Sequence, residues 1–182
     1  MNLNTHYFKQ LRPLNWEEVF LFWHDNEGRR NNWIDLAIRR EFPSWAAWRL
    51  EGYARPFRCR EAKWYLYQVR HPLEIVPTFY GGPFKTWIKL HYQGLSTCTF
   101  AQLANLPAIE NNDTVNQMAK EFPLDKALTA LFVSGKITII EGMHRVCALA
   151  LKAKRGELFD QIVTMAIGES VLSELPIVGW AD

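Results

Sequence analysis

The stretch "ITIIEGMHRVCALAL", residues 137–151, decides the fold. A β-branched run ends in Glu141-Gly142. His144 and Arg145 follow at once, and then a run of small and aliphatic residues resumes. The β-branched residues predict a strand over 137–141. From Met143 the period changes. Met143, Val146, Cys147, Ala150 and Leu151 recur at helical spacing and predict a helix over 143–154 with one apolar stripe. His144 and Arg145 fall off that stripe and are expected near an exposed first turn.

Polar chemistry is concentrated where the strand meets the helix. Gly142 permits a tight turn and a close approach of backbone to ligand. A helix start carries unpaired N–H groups and partial positive charge, so it suits an anion. Arg145 adds a planar fork suited to phosphate, and His144 a second donor. Glu141 does not fit simple anion binding. It is a general base, a ligand to a divalent ion such as Mg²⁺, or only the ion-pair partner of Arg145.

Outward from this junction, residues 161–168 read as another strand, giving a βαβ-like unit. Residues 128–133 are apolar and fit helix or strand, with a turn at Ser134-Gly135. Residues 64–69 read as a strand. Residues 73–93 read as short strands joined by a loop at 80–84, and Gly81-Gly82 is either a backbone cradle over a nucleotide or a turn with aromatic packing. Thr99 is placed to cap a short helix, 107–116 read as a loop, and a short helix is expected over 114–121. The first third reads as helical. Asn15, with Glu18 as a capping box, Asn32 and Ser44 are the expected caps.

The chain of 182 residues is ample for a core, and 48% apolar with 22% charged residues is globular composition. Net charge is only +2, but residues 1–63 carry 11 Lys/Arg against 8 Asp/Glu, and five of the eight Trp lie in the first 50 residues. Arg39 and Arg40, among aromatics, are the candidates for a nucleic-acid contact such as DNA. The three dispersed cysteines suggest a reduced cytoplasmic protein without a zinc site, and no run has a membrane-span pattern. No P-loop, dinucleotide fingerprint or nucleophile elbow occurs.

The motif Gly142-Met143-His144-Arg145, followed by Ala148 and Ala150, resembles the signature turn of the ParB/sulfiredoxin superfamily. There a strand leads into Gly-x-His-Arg at a helix start that grips nucleotide phosphates. The resemblance implies an α+β fold with a small mixed sheet over 64–182, with residues 1–63 as a helical N-terminal extension. It also implies nucleotide binding (ATP or CTP), with phosphotransferase or nucleotide hydrolase activity in prospect. Gly142, Met143, His144 and Arg145, with Gly81 and Gly82, are the expected phosphate or nucleotide contacts, and Glu141 the expected catalytic group. Met143 stands where the sulfiredoxin-like enzymes place a reactive cysteine, so sulfinic-acid chemistry is not expected. With 37 residues after Arg145, the helix-turn-helix of partition proteins is not expected. The alternative is a non-catalytic nucleic-acid-binding or regulatory module, or a ParB-like nuclease, using the basic Trp-rich N-terminus.

Overall fold

The computed structural model describes residues 3–180. The fold is α+β, built on one mixed six-stranded sheet. Its strands are β1 (Phe8–Leu14), β2 (Lys63–Val69), β3 (Tyr80–Gly81), β4 (Leu128–Val133), β5 (Lys136–Glu141) and β6 (Val163–Glu169), in the order β1-β2-β6-β4-β5-β3. The pairs β1/β2, β2/β6 and β4/β5 are antiparallel; β4/β6 and β3/β5 are parallel. Residues 128–133 are therefore strand. Ser134 and Gly135 both take positive φ, 48° and 82°, which lets a two-residue turn close the β4–β5 hairpin.

The helix predicted over 143–154 is α9 (Met143–Lys154). The βαβ reading needs correction. Thr129 pairs with Glu141 on one side and Ala166 on the other, so β4 lies between β5 and β6, and those two strands run in opposite directions. The single-stripe reading of α9 is also corrected. Met143, Arg145 and every residue from Val146 to Leu151 are buried, because α4 (Pro72–Ile75), α6 (Phe100–Leu103) and α8 (Asp113–Lys120) pack around it. A helix enclosed in this way has no single apolar face.

The N-terminal third is not purely helical. β1 forms the sheet edge beside β2, and the helices follow it: α1 (Trp16–Trp23), α2 (Asn31–Arg39) and α3 (Trp45–Arg49). Asn15 and Glu18 close a capping box on α1, and the Ser44 hydroxyl accepts from Ala47 N at 3.1 Å at the start of α3. Asn32 is not a cap: α2 starts at Asn31, with Arg30 before it. Trp16 meets Trp64 of β2 with ring centroids 6.0 Å apart. Trp64 lies over Gly168 of β6, where a β-carbon would fall 2.9 Å from the indole. On the opposite face of β2, Tyr67 meets Phe8, which stacks on Phe79 beside α9. The sheet is thus covered on both faces, by the Trp-rich helices and by the α9 group.

Residues 72–91 are mostly helical rather than stranded. α4 is followed by a short 3-10 turn, the two-residue β3 and α5 (Lys85–His91). Thr99 does cap α6, again with a capping box, through Gln102. Residues 107–116 hold α7 (Pro107–Glu110) and the first turn of α8, capped by Asn112. Among the described residues no helix is long and apolar enough to cross a membrane.

Candidate functional site

The start of α9 opens into a cavity of about 460 Å³. The N-terminal helices form the facing wall. Gly142, with φ of 91°, makes the turn from β5, and no side chain caps the helix. A β-carbon here would lie 2.5 Å from Leu128 Cδ2 and 2.9 Å from Arg145 Nη2, so the turn is fixed by both conformation and space.

Glu141 and Arg145 form a buried pair, with side chains 4% and 6% exposed. Arg145 Nη2 donates to Glu141 Oε2 at 2.7 Å and Oε1 at 2.9 Å, and to the Ala127 carbonyl at 3.2 Å. Its Nη1 donates to the Lys126 carbonyl at 2.6 Å. Asn26 Nδ2 reaches across from the N-terminal segment to Glu141 Oε2 at 2.9 Å and the Ala127 carbonyl at 3.2 Å. Arg145 is therefore not an exposed phosphate fork: its guanidinium ties the end of β5 to the start of β4. Of the three readings of Glu141, the ion-pair partner of Arg145 is the arrangement observed, and both of its oxygens accept hydrogen bonds. Among the described residues no cluster of three or more His, Cys, Asp or Glu could hold a metal ion.

A second pair lines the same cavity. Arg49 Nη2 donates to Glu27 Oε1 at 2.7 Å, with side chains 8% and 12% exposed. Two π-helical turns set this wall, His24–Gly28 carrying Asn26 and Glu27, and Leu50–Ala54 carrying Tyr53. Wider turns of this kind re-aim side chains and recur at functional sites. The Arg49 guanidinium sits within a cage of rings: Tyr53 at 4.4 Å, Trp48 at 5.2 Å, Trp23 at 5.5 Å and Trp33 at 5.8 Å. Each such contact is worth roughly 0.5–2 kcal/mol, more where water is excluded. Unlike the first pair, this one is incomplete. Glu27 Oε2 and Arg49 Nε are buried without a hydrogen-bond partner; the Trp45 indole approaches Glu27 but falls short of bonding geometry. Burial pushes the Glu27 carboxyl above the usual carboxylate range, Arg49 pulls it down, and the negative charge of Glu141 pushes it up.

The remaining predicted residues separate. The Met143 side chain packs inward toward Gly81, where a β-carbon would sit 3.0 Å from its Cε. Met143 nevertheless lines the cavity. His144 is exposed beside the cavity, 5.3 Å from the Trp87 ring, which also packs on His91 at 4.9 Å. Desolvation by the surrounding protein, and then His91, hold its pKa below the ordinary value.

Gly81 and Gly82 are buried and do not line the cavity. They allow close packing: a β-carbon on Gly81 would strike the Tyr92 hydroxyl at 2.2 Å, and one on Gly82 the Ile139 carbonyl at 2.7 Å. The Tyr92 hydroxyl donates to the Gly82 carbonyl at 2.9 Å. Of the two readings of this pair, aromatic packing is the one observed. Arg39 and Arg40 do not share a surface. Arg39 is exposed, whereas the Arg40 guanidinium turns into the cavity wall, 4.7 Å from Trp180 and 5.5 Å from Trp48.

Sequence reasoning missed Asn26, Glu27 and Arg49. All three lie far from the motif in sequence, and nothing in their spacing marks them. The signal present was the crowding of Trp and Arg in residues 16–49, which becomes the cage. Among the described lining residues, Arg30, Arg40, Arg49, Lys126 and Arg145 stand against Glu27 and Glu141. The cavity is thus cationic and aromatic. Compared with protein-family models, with curated proteins and with solved structures, the chain matches none.

Proposed function

We propose that the protein binds a nucleotide or a similar phosphorylated aromatic compound in the cavity at the start of α9. One observation carries this: an uncapped helix N-terminus opens into a pocket with five cationic side chains, two acidic ones and walls of Trp33, Trp48, Tyr53 and Trp87. Anions are stabilised at helix starts by free N–H groups and the helix dipole. Bases stack on aromatic rings at about 1–3 kcal/mol each. A volume of about 460 Å³ falls within the roughly 300–1,000 Å³ of small-molecule sites.

The phosphate is held by the first-turn N–H groups of α9, with Lys126 and Arg30 supplying charge and His144 a further hydrogen-bond donor. Arg145 acts indirectly, by fixing the turn through Glu141. The ParB/sulfiredoxin-like character of Gly142-Met143-His144-Arg145 supports the same reading, since that turn grips nucleotide phosphates in the superfamily. Phosphotransfer or nucleotide hydrolysis is the activity such a site would serve, by positioning and electrostatic stabilisation.

The test is titration with ATP and CTP, each with and without Mg²⁺, followed by the fluorescence of the cavity tryptophans. Wild type is expected to bind at least one of them, and Lys126→Ala to bind it several-fold more weakly. Absence of saturable binding by either nucleotide overturns the proposal.

A further inference from the structure

The two buried glutamates of the cavity differ in one chemical respect. Each oxygen of Glu141 accepts at least one hydrogen bond, from Arg145 or Asn26. Glu27 spends Oε1 on Arg49 and leaves Oε2 with no partner. A proton on Oε2 breaks no bond of full hydrogen-bonding geometry, gives up only the approach of the Trp45 indole N–H, and removes a buried, half-satisfied charge. Such a charge is costly to keep.

We propose that Glu27 is the titrating carboxylate of the cavity and takes up one proton from solvent when a phosphate-bearing ligand binds. The coupling rests on the nucleotide-binding reading above. An added anion repels the Glu27 carboxylate, and neutralising it is the least costly response the wall offers.

The other groups around Glu27 act in both directions. Arg49 from α3 favours its ionised form. Glu141 at the end of β5 opposes ionisation, with its own charge offset by Arg145 of α9 and Asn26 of the same π-turn. Tyr53, on the second π-turn, feels Glu27, Arg49 and Arg40, and burial keeps its hydroxyl protonated. Arg30, Lys126 and His144 line the same cavity. His144 is exposed, and its pKa is held below the ordinary value. Linkage then fixes the sign. A ligand that raises proton affinity binds more tightly as pH falls, by up to about tenfold per pH unit for one proton.

Calorimetric titration of the full chain with CTP and with ATP, in two buffers of different ionisation enthalpy and across a pH series, counts the protons. Wild type is expected to take up protons over part of the series. Glu27→Gln is expected to bind equally well at low pH, more tightly than wild type at high pH, and with that uptake removed; His144→Gln is expected to retain it. The difference between wild type and Glu27→Gln cancels the ionisation of the ligand's own phosphate. Gln keeps an amide oxygen for Arg49, and circular dichroism checks its fold. Should the variant not fold, carbon-13 NMR of the Glu27 carboxyl in wild type, with and without nucleotide, reads the same event. Binding without proton uptake, uptake that survives Glu27→Gln, or an unmoved Glu27 titration overturns the coupling. Absence of binding by wild type overturns the nucleotide reading instead, and with it the coupling.

Discussion

Two buried carboxylate–arginine pairs face one cavity, and they are not equivalent. Glu141–Arg145 lies within one chain segment, four residues apart, and its hydrogen bonds extend to Asn26 and the carbonyls of Lys126 and Ala127. Glu27–Arg49 bridges a π-turn to α3 and leaves an acceptor on one partner and a donor on the other unmet. A buried pair with its hydrogen bonds complete fixes a conformation. A buried pair left incomplete holds a charge that a proton or a ligand can change at small structural cost. The first pair therefore sets the Gly142 turn, and the second is the place where the cavity responds to what enters it.

The largest expected effect tests the locking role. Arg145→Ala strands Glu141 as a lone buried charge and should cost about 3–5 kcal/mol in urea unfolding. Replacing both partners with apolar residues, Glu141→Leu with Arg145→Met, should recover most of that loss. A single Arg145→Ala that folds with full stability would contradict the comparison. Next comes Gly142→Ala, which combines a left-handed backbone with a β-carbon 2.5 Å from Leu128 Cδ2. A loss of about 2 kcal/mol or more is expected in the same assay. Trp87→Ala should leave stability less affected and weaken nucleotide binding by roughly tenfold, read by calorimetry, through lost stacking beside His144.

The smallest effect belongs to the second pair. Glu27→Gln should change stability at neutral pH by no more than about 1 kcal/mol. Its pH dependence has a defined sign. The folded-state pKa of Glu27 is raised, so its favourable contribution is complete below the ordinary glutamate value of about 4.3 and is lost as pH rises through the raised value. Thermal melts of wild type over that window should fall relative to those of Glu27→Gln. Parallel curves would remove Glu27 as the titrating group.

Local chemistry made much of the fold legible. The change from β-branched to helical spacing placed β5 and α9, and Asn15, Ser44 and Thr99 marked helix starts, because caps are decided by a few neighbouring residues. β1 was not legible. Its intermediate residues are exposed and include Pro13, and only pairing with β2 makes "FKQLRPL" a strand. The site was half legible. Gly142 and the helix start follow from the motif, whereas the buried network of Arg145 depends on Glu141, Asn26 and the carbonyls of Lys126 and Ala127 just before β4, which no periodicity within α9 reports. Glu27 and Arg49 meet α9 only through the tertiary fold.

The most direct test of the central claim is amide NMR of the wild-type chain during titration with ATP and CTP. A nucleotide phosphate seated at the start of α9 predicts saturable shifts of the Met143 and His144 amides, together with the indole signals of Trp33, Trp48 and Trp87. Shifts confined to other surfaces, or none at Met143 and His144 with either nucleotide, would contradict it.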